Sequence, residues 1–116
     1  MWTYDDARAA VRDVLRLSRA MTFKAAVAGL PLGGGKGVIM LRPDEPTLSP
    51  ERREAVLQDF GDTVETLGGD YLTAEDVGTG EPDMEVIAGR TSHVTGLATG
   101  SGDPSPWTAI GCEVAV

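Results

Sequence analysis

One segment constrains the architecture more than any other: "SPERREAVLQDFGDTVETLGG", Ser49 to Gly69. Ser49 offers a hydroxyl cap, Pro50 takes the first helical position, where a missing N–H costs nothing, and Gly68-Gly69 supplies the stop. Between them Val56, Leu57, Phe60, Val64 and Leu67 recur at three- and four-residue steps, so this helix carries an apolar face that must be buried. The chain has 116 residues and only six aromatics, two each of Trp, Tyr and Phe, so the partners of that face are mostly aliphatic side chains and alanine. The length suits one modest domain, and a single folding unit is expected.

The remaining elements arrange themselves around this helix. Thr3 followed by Asp6 resembles a capping box, and Val11, Val14, Leu15, Ser18 and Met21 then give a first amphipathic helix whose outward face holds Arg8, Arg12, Arg16 and Arg19. "GVIML", ended by "RPDEP", reads as a buried strand, and "YLTA", Tyr71 to Ala74, as a strand delivering "EDVGTG". A third helix is expected from Pro82 to Ala88, and a last one capped near Ser105 and entered through Pro106. The order helix, strand, helix, strand, helix points to an α/β sandwich, with helices on a mostly parallel sheet.

Charge and composition exclude several functions. A net charge of −8, with eight arginines scattered along the chain, opposes a phosphate backbone, so nucleic acid is not an expected partner. No apolar run reaches the roughly 18 to 20 residues that span a bilayer, and "MWTYDDARAA" lacks the form of a secretory leader; no membrane partner and a cytoplasmic location are expected. Cys112 and His93 are each alone, so no disulfide within the chain and no metal site are expected. Cys112, in "AIGCEVAV", reads as a small buried hydrophobe, and His93, in "RTSHVTG", as a structural residue of a loop or strand edge.

The only two lysines, Lys24 and Lys36, both fall within "FKAAVAGLPLGGGKGVI". The glycine run suggests a phosphate loop, but the spacing refuses it. Leu30 stands where a Walker loop needs its first glycine, and Gly37 where it needs Ser or Thr. A dinucleotide fingerprint fails as well, because the run precedes a strand and Val38 takes the place of the third glycine. From Ala20 to Leu41 there is no acidic residue. Lysines without local counter-ions, set among apolar residues, have their charged form disfavoured, and a second ammonium nearby adds to this. Bringing a lysine from about 10.4 to about 7 or 8 takes roughly 4 kcal/mol, within the reach of burial and a like charge. Such a lysine can act as a base, with glycines allowing close approach. The alternative, in which both lysines snorkel from an apolar loop to solvent, stands equally open on spacing alone.

"MTFKAAVAGLPLGGGKGVI", "TAEDVGTG" and "DPSPWTA", with the leading "DVLRLSRAMT", closely resemble in order and spacing the Glu/Leu/Phe/Val dehydrogenase family, and the resemblance runs from the first helix to the last residues. The "GGGK" form is more similar to its leucine, valine and phenylalanine branch. The resemblance implies interconversion of amino acids and 2-keto acids with NAD or NADP. It implies that Lys24 holds the substrate α-carboxylate, that Lys36 is the general base activating water, and that Asp76 is a neighbouring catalytic carboxylate assisting proton transfer close to the cofactor. Met21 and the Gly33, Gly34 and Gly35 backbone would line the substrate site, and Thr108 would lie near the nicotinamide. The partners implied are a small amino or keto acid and, in the intact family, further copies of the chain in a homo-oligomer.

The same resemblance implies that residues 1–116 are part of a catalytic and dimerisation domain. The family's "GG-x-R" segment and its Rossmann domain, which holds most of the cofactor, have no counterpart here. Two other readings therefore stay open beside the dehydrogenase portion: a non-catalytic oligomerisation module, and a fragment without function.

Overall fold

The computed structural model describes residues 1–115. The chain divides into two compact units, Met1–Arg53 and Glu54–Val116, where the sequence suggested one folding unit. The division falls within a helix, so no linker composition marks it.

The first unit holds β1 (Trp2–Thr3), α1 (Ala7–Val27) and β2 (Met40–Leu41). The strands pair in parallel, Trp2 opposite Met40 and Thr3 opposite Leu41, and the Trp2 amide donates to the Ile39 carbonyl at 3.1 Å. The expected strand "GVIML" is thus laddered only at its end, and Val38 and Ile39 are half-buried without strand pairing. Thr3 belongs to β1 and leaves the capping to Asp6, whose carboxylate accepts from the Ala9 amide at 2.7 Å. The Tyr4 hydroxyl donates to Asp13 at 2.7 Å, tying the end of β1 to α1, and this bond to a carboxylate raises the Tyr4 pKa.

The inward stripe of α1 is rotated from the expected one. Ala10 and Ala25 are buried and Val14, Ser18 and Met21 half-buried, a run at steps of three and four, whereas Val11 and Leu15 stand one position round and are exposed. The most buried positions are held by small residues, and a reading weighted toward large apolar side chains passes over them. The helix ends in a Schellman motif: Leu30 N–H donates to Ala25 O at 3.0 Å, Gly29 N–H donates to Ala26 O at 3.1 Å, and Gly29 takes φ 67°. Gly29 with Pro31 two residues on is a stop signal that the sequence carries.

Helix α2 (Pro50–Thr66) begins as expected, with the Arg52 amide donating to Ser49 Oγ at 3.3 Å and the Arg53 amide to Ser49 O at 2.8 Å. It ends at Gly68 and Gly69, both left-handed at φ 58° and 95°. In the second unit Leu57 and Val64 of α2 join Met84 and Ile87 of α3 (Glu81–Ala88) as the most deeply buried side chains. Gly61 permits the close approach: a β-carbon there would lie 2.8 Å from Arg90 Cβ and 3.2 Å from Ile87 O.

The strand expected at Tyr71–Ala74 is one parallel bridge, Thr73 with Val94. Thr73 N–H donates to His93 O at 3.0 Å and Thr95 N–H donates to Thr73 O at 2.8 Å. The His93 ring faces Gly69, its Cε1 only 3.2 Å from where a β-carbon would stand, which accords with a structural role. Helix α4 (Ser105–Ala115) is capped two residues before the expected Ser105, by Asp103, whose carboxylate accepts from the Ser105 amide at 2.7 Å. No described residue of α4 is buried, and Cys112 on it is exposed, contrary to the buried hydrophobe that its apolar neighbours suggest. Among the described residues no helix is long and apolar enough to cross a membrane.

Candidate functional site

The first unit contains Met21, Lys24, the three glycines and Lys36. Met21 and Lys24 lie three residues apart on α1, which makes them surface neighbours, Met21 half-buried and Lys24 exposed. Lys24 occupies the last turn, where the negative end of the helix dipole favours a cation. One turn back, Arg19 sits 5.5 Å above the Phe23 ring, so this arginine of the outward face has an aromatic partner beside the lysine.

Lys36 comes from the segment between α1 and β2 and is half-buried. The glycines before it are not equivalent. A β-carbon on Gly33 would meet nothing within 4 Å, whereas one on Gly34 would collide with Thr22 N, Ser18 O and Thr22 Oγ1. Neither residue has a positive φ, so the need for glycine at 34 arises from proximity rather than from backbone conformation. The loop that delivers Lys36 therefore rests directly on the backbone of the helix that delivers Lys24.

Asp76 and Thr108 belong to the second unit. "EDVGTG" folds as a self-closing turn. Thr79 N–H donates to Asp76 O at 2.9 Å, Gly78 takes φ 79° as the third residue of the turn requires, and Asp76 N–H donates to Thr79 Oγ1 at 3.0 Å. The Asp76 carboxylate also accepts from the Val77 amide at 2.8 Å, so the turn fixes its orientation while leaving it exposed. The turn leads into α3 through Gly80, whose amide donates to Asp83 at 2.8 Å. Thr108 is exposed on α4, its hydroxyl donating back to Pro104 O at 3.1 Å.

Sequence reading passed over Glu75 and Asp103. Burial raises the Glu75 pKa first, and a hydrogen bond to Asp103 adds to it, as do the charges of Asp103 and Glu81. Asp103 is lowered by the Ser105 hydroxyl and amide. This pair, Glu75 raised and Asp103 lowered, connects the residue before Asp76 to the cap of α4. Twenty-eight residues separate them, and no local pattern announces such a pair.

The order helix, glycine run, strand is not that of a dinucleotide fold, in which the glycines follow a strand and open a helix. The residues present do not fit a cradle for a dinucleotide pyrophosphate. Among the described residues, no group of three or more His, Cys, Asp or Glu is placed to hold a metal ion.

Comparison with known proteins gives the family. A family model described as Glu/Leu/Phe/Val dehydrogenase, dimerisation domain, matches residues 2–93. Leucine dehydrogenase of Bacillus subtilis (strain 168) is 47% identical over 114 residues, 96% of this chain and 30% of that protein. Valine dehydrogenase of Streptomyces virginiae is 44% identical over 113 residues, 95% of this chain and 30% of that protein. The crystal structure of L-tryptophan dehydrogenase from Nostoc punctiforme superposes with a TM-score of 0.68 at 38% identity, covering 80% of this chain and 27% of that one. The chain spans about 30% of the length of the curated relatives it matches. On its sequence and its fold, the chain belongs to the Glu/Leu/Phe/Val dehydrogenase family.

Proposed function

We propose that this chain supplies the substrate-binding and proton-transfer portion of an amino acid dehydrogenase acting on a branched-chain or aromatic L-amino acid. Lys24, exposed in the last turn of α1, holds the substrate α-carboxylate as a cation. Lys36, half-buried beyond the glycine run, acts as the base that takes a proton from the attacking water. Asp76, oriented by its own turn, would assist that transfer, and Thr108 would help hold the nicotinamide. In the complete reaction an amino acid and water give a 2-keto acid and ammonium, and NAD or NADP accepts the hydride when bound. These residues bind, orient and exchange protons; the cofactor is held mainly by a Rossmann domain beyond this chain, and the chain alone is not expected to turn over substrate. The observation that carries the proposal is the seating of the Lys36 loop on the helix of Lys24 within one compact unit.

The test is binding of a branched 2-keto acid, 4-methyl-2-oxopentanoate, followed by NMR. Weak saturable binding, lost in Lys24→Ala, is the expected result. Binding indifferent to Lys24, or no binding, would remove the assignment.

A second reading rests on a different observation, the dimerisation-domain description of the matching family model. On this reading the chain is an oligomerisation module without catalysis. Self-association in sedimentation velocity, together with no keto-acid binding, would favour it.

A further inference from the structure

The two glycines before Gly35 differ only in what lies beside them, and that difference has a mechanical meaning. Gly34 packs against Thr22 N and Ser18 O, the two ends of one hydrogen-bonded turn of α1. The two hydroxyls are turned back onto the helix, Thr22 Oγ1 donating to Ser18 O at 3.1 Å and Ser18 Oγ to Val14 O at 2.8 Å, and Thr22 Oγ1 is itself part of the surface that a β-carbon on Gly34 would strike. The helix thus presents the Ser18–Thr22 turn and the Thr22 hydroxyl to the loop, and only a residue without a β-carbon can lie on them. Thr22 stands two residues before Lys24, and Gly34 two residues before Lys36. Two residues of extended chain reach at most about 7 Å, so one contact lies within a short, fixed reach of both lysines.

We infer that the seat formed by Ser18 and Thr22 for Gly34 sets the separation between Lys24 and Lys36, making Gly34 and Thr22 positioning residues of the lysine pair. The consequence for chemistry rests on the lysine roles proposed above, whereas the contact itself does not. Gly33, with open space around it, has no part in the seat.

The test measures distance and involves no keto acid, so its outcome stands apart from that of the binding experiment. Spin labels are placed on the full chain at Lys24→Cys and Lys36→Cys with Cys112→Ser, and the interspin distance is read by pulsed electron resonance. A single narrow distribution is expected, unchanged by Gly33→Ala. In Gly34→Ala the β-carbon lifts the loop, and the distribution broadens and moves to longer distance. Thr22→Leu enlarges the other side of the same contact from an exposed helix position that accepts leucine, and should produce the same change even if Gly34→Ala does not fold. A broad distribution in the starting protein overturns the inference. So does a Gly34→Ala or Thr22→Leu distribution, in folded protein, that matches that of Gly33→Ala.

Discussion

Arg90 grips Asp62 with two parallel hydrogen bonds, Nε to Oδ1 and Nη2 to Oδ2, each 2.8 Å long. Beside them Thr91 Oγ1 donates to Glu65 at 2.6 Å, so two consecutive residues after α3 clasp one face of α2. The guanidinium holds the Asp62 carboxyl below its ordinary value, chiefly through the hydrogen bond. A depressed carboxyl contributes stability above its unfolded pKa and loses it as pH falls through the folded value. Asp62→Asn should therefore unfold at lower urea than the parent at pH 7, with the deficit closing in acid, below about pH 4. A deficit that stays constant from pH 7 to pH 3 would show that the charge is irrelevant. Since both side chains are half-exposed, the deficit at pH 7 should also shrink in added salt.

Gly61 and Gly111 lie within helices and should respond oppositely to the same substitution. Alanine gains about 1 kcal/mol of helix propensity over glycine at either site. At Gly61 the new carbon would press on Arg90 Cβ at 2.8 Å, and overpacking of this kind costs typically about 1–3 kcal/mol. Nothing lies within 4 Å at Gly111. Thermal unfolding should give a lower midpoint for Gly61→Ala, while circular dichroism should show more helix for Gly111→Ala. Equal responses at the two sites would contradict the close approach between α2 and the end of α3.

Leu57 is 1% exposed and sits in a core with few large members, so Leu57→Ala should cost about 2–5 kcal/mol in denaturant unfolding. The exposed Leu15→Ala, at 63% exposure, should cost far less. Comparable losses would mean that α1 buries the face that the sequence first suggests.

Glu75 and Asp103 make the region before α4 sensitive to pH in two directions. The raised Glu75 contributes stability that is complete below its unfolded pKa and lost as pH rises through its folded value. The lowered Asp103 contributes above its unfolded pKa and loses this as pH falls. Glu75→Gln keeps a donor for Asp103 and cannot ionise. Exchange of the Ser105 amide, corrected for intrinsic rate, should therefore quicken with rising pH in the parent and not in Glu75→Gln. The same acceleration in both would dismiss the coupling of Glu75 to Asp103.

For the lysines, the separation of roles predicts different kinetic losses in a form of the protein that transfers hydride. Lys36→Ala should abolish turnover, and Lys24→Ala should mainly raise KM for the amino acid. Full activity in Lys36→Ala would remove it as the base.

Local signals in the sequence predicted α2 well, because Ser49, Pro50, Gly68 and Gly69 each act through their own backbone. The α3 boundary differed from expectation by one residue, for the same reason. The inward stripe of α1 was misplaced, since burial of Ala10 and Ala25 is decided by close packing and not by hydrophobic size. The strands were overextended: "GVIML" and "YLTA" have strand-forming composition, but a ladder needs a partner, and only Met40–Leu41 and Thr73 have one among the described residues. The lysines were conspicuous through their scarcity. What joins their segments, Gly34 on the Ser18–Thr22 turn, depends on a contact between residues twelve to sixteen positions apart and has no sequence signature beyond glycine itself.

Helix α4 has eleven residues and none of its described side chains is buried. Isolated helices of that length are marginal in water, so its order depends on the Asp103 cap and on whatever covers its apolar side chains. Trp107, 75% exposed, stands in its first turn. Its emission should lie toward the red when that face is wet and move to the blue when it is covered, giving the molecule an optical gauge of its own state of assembly.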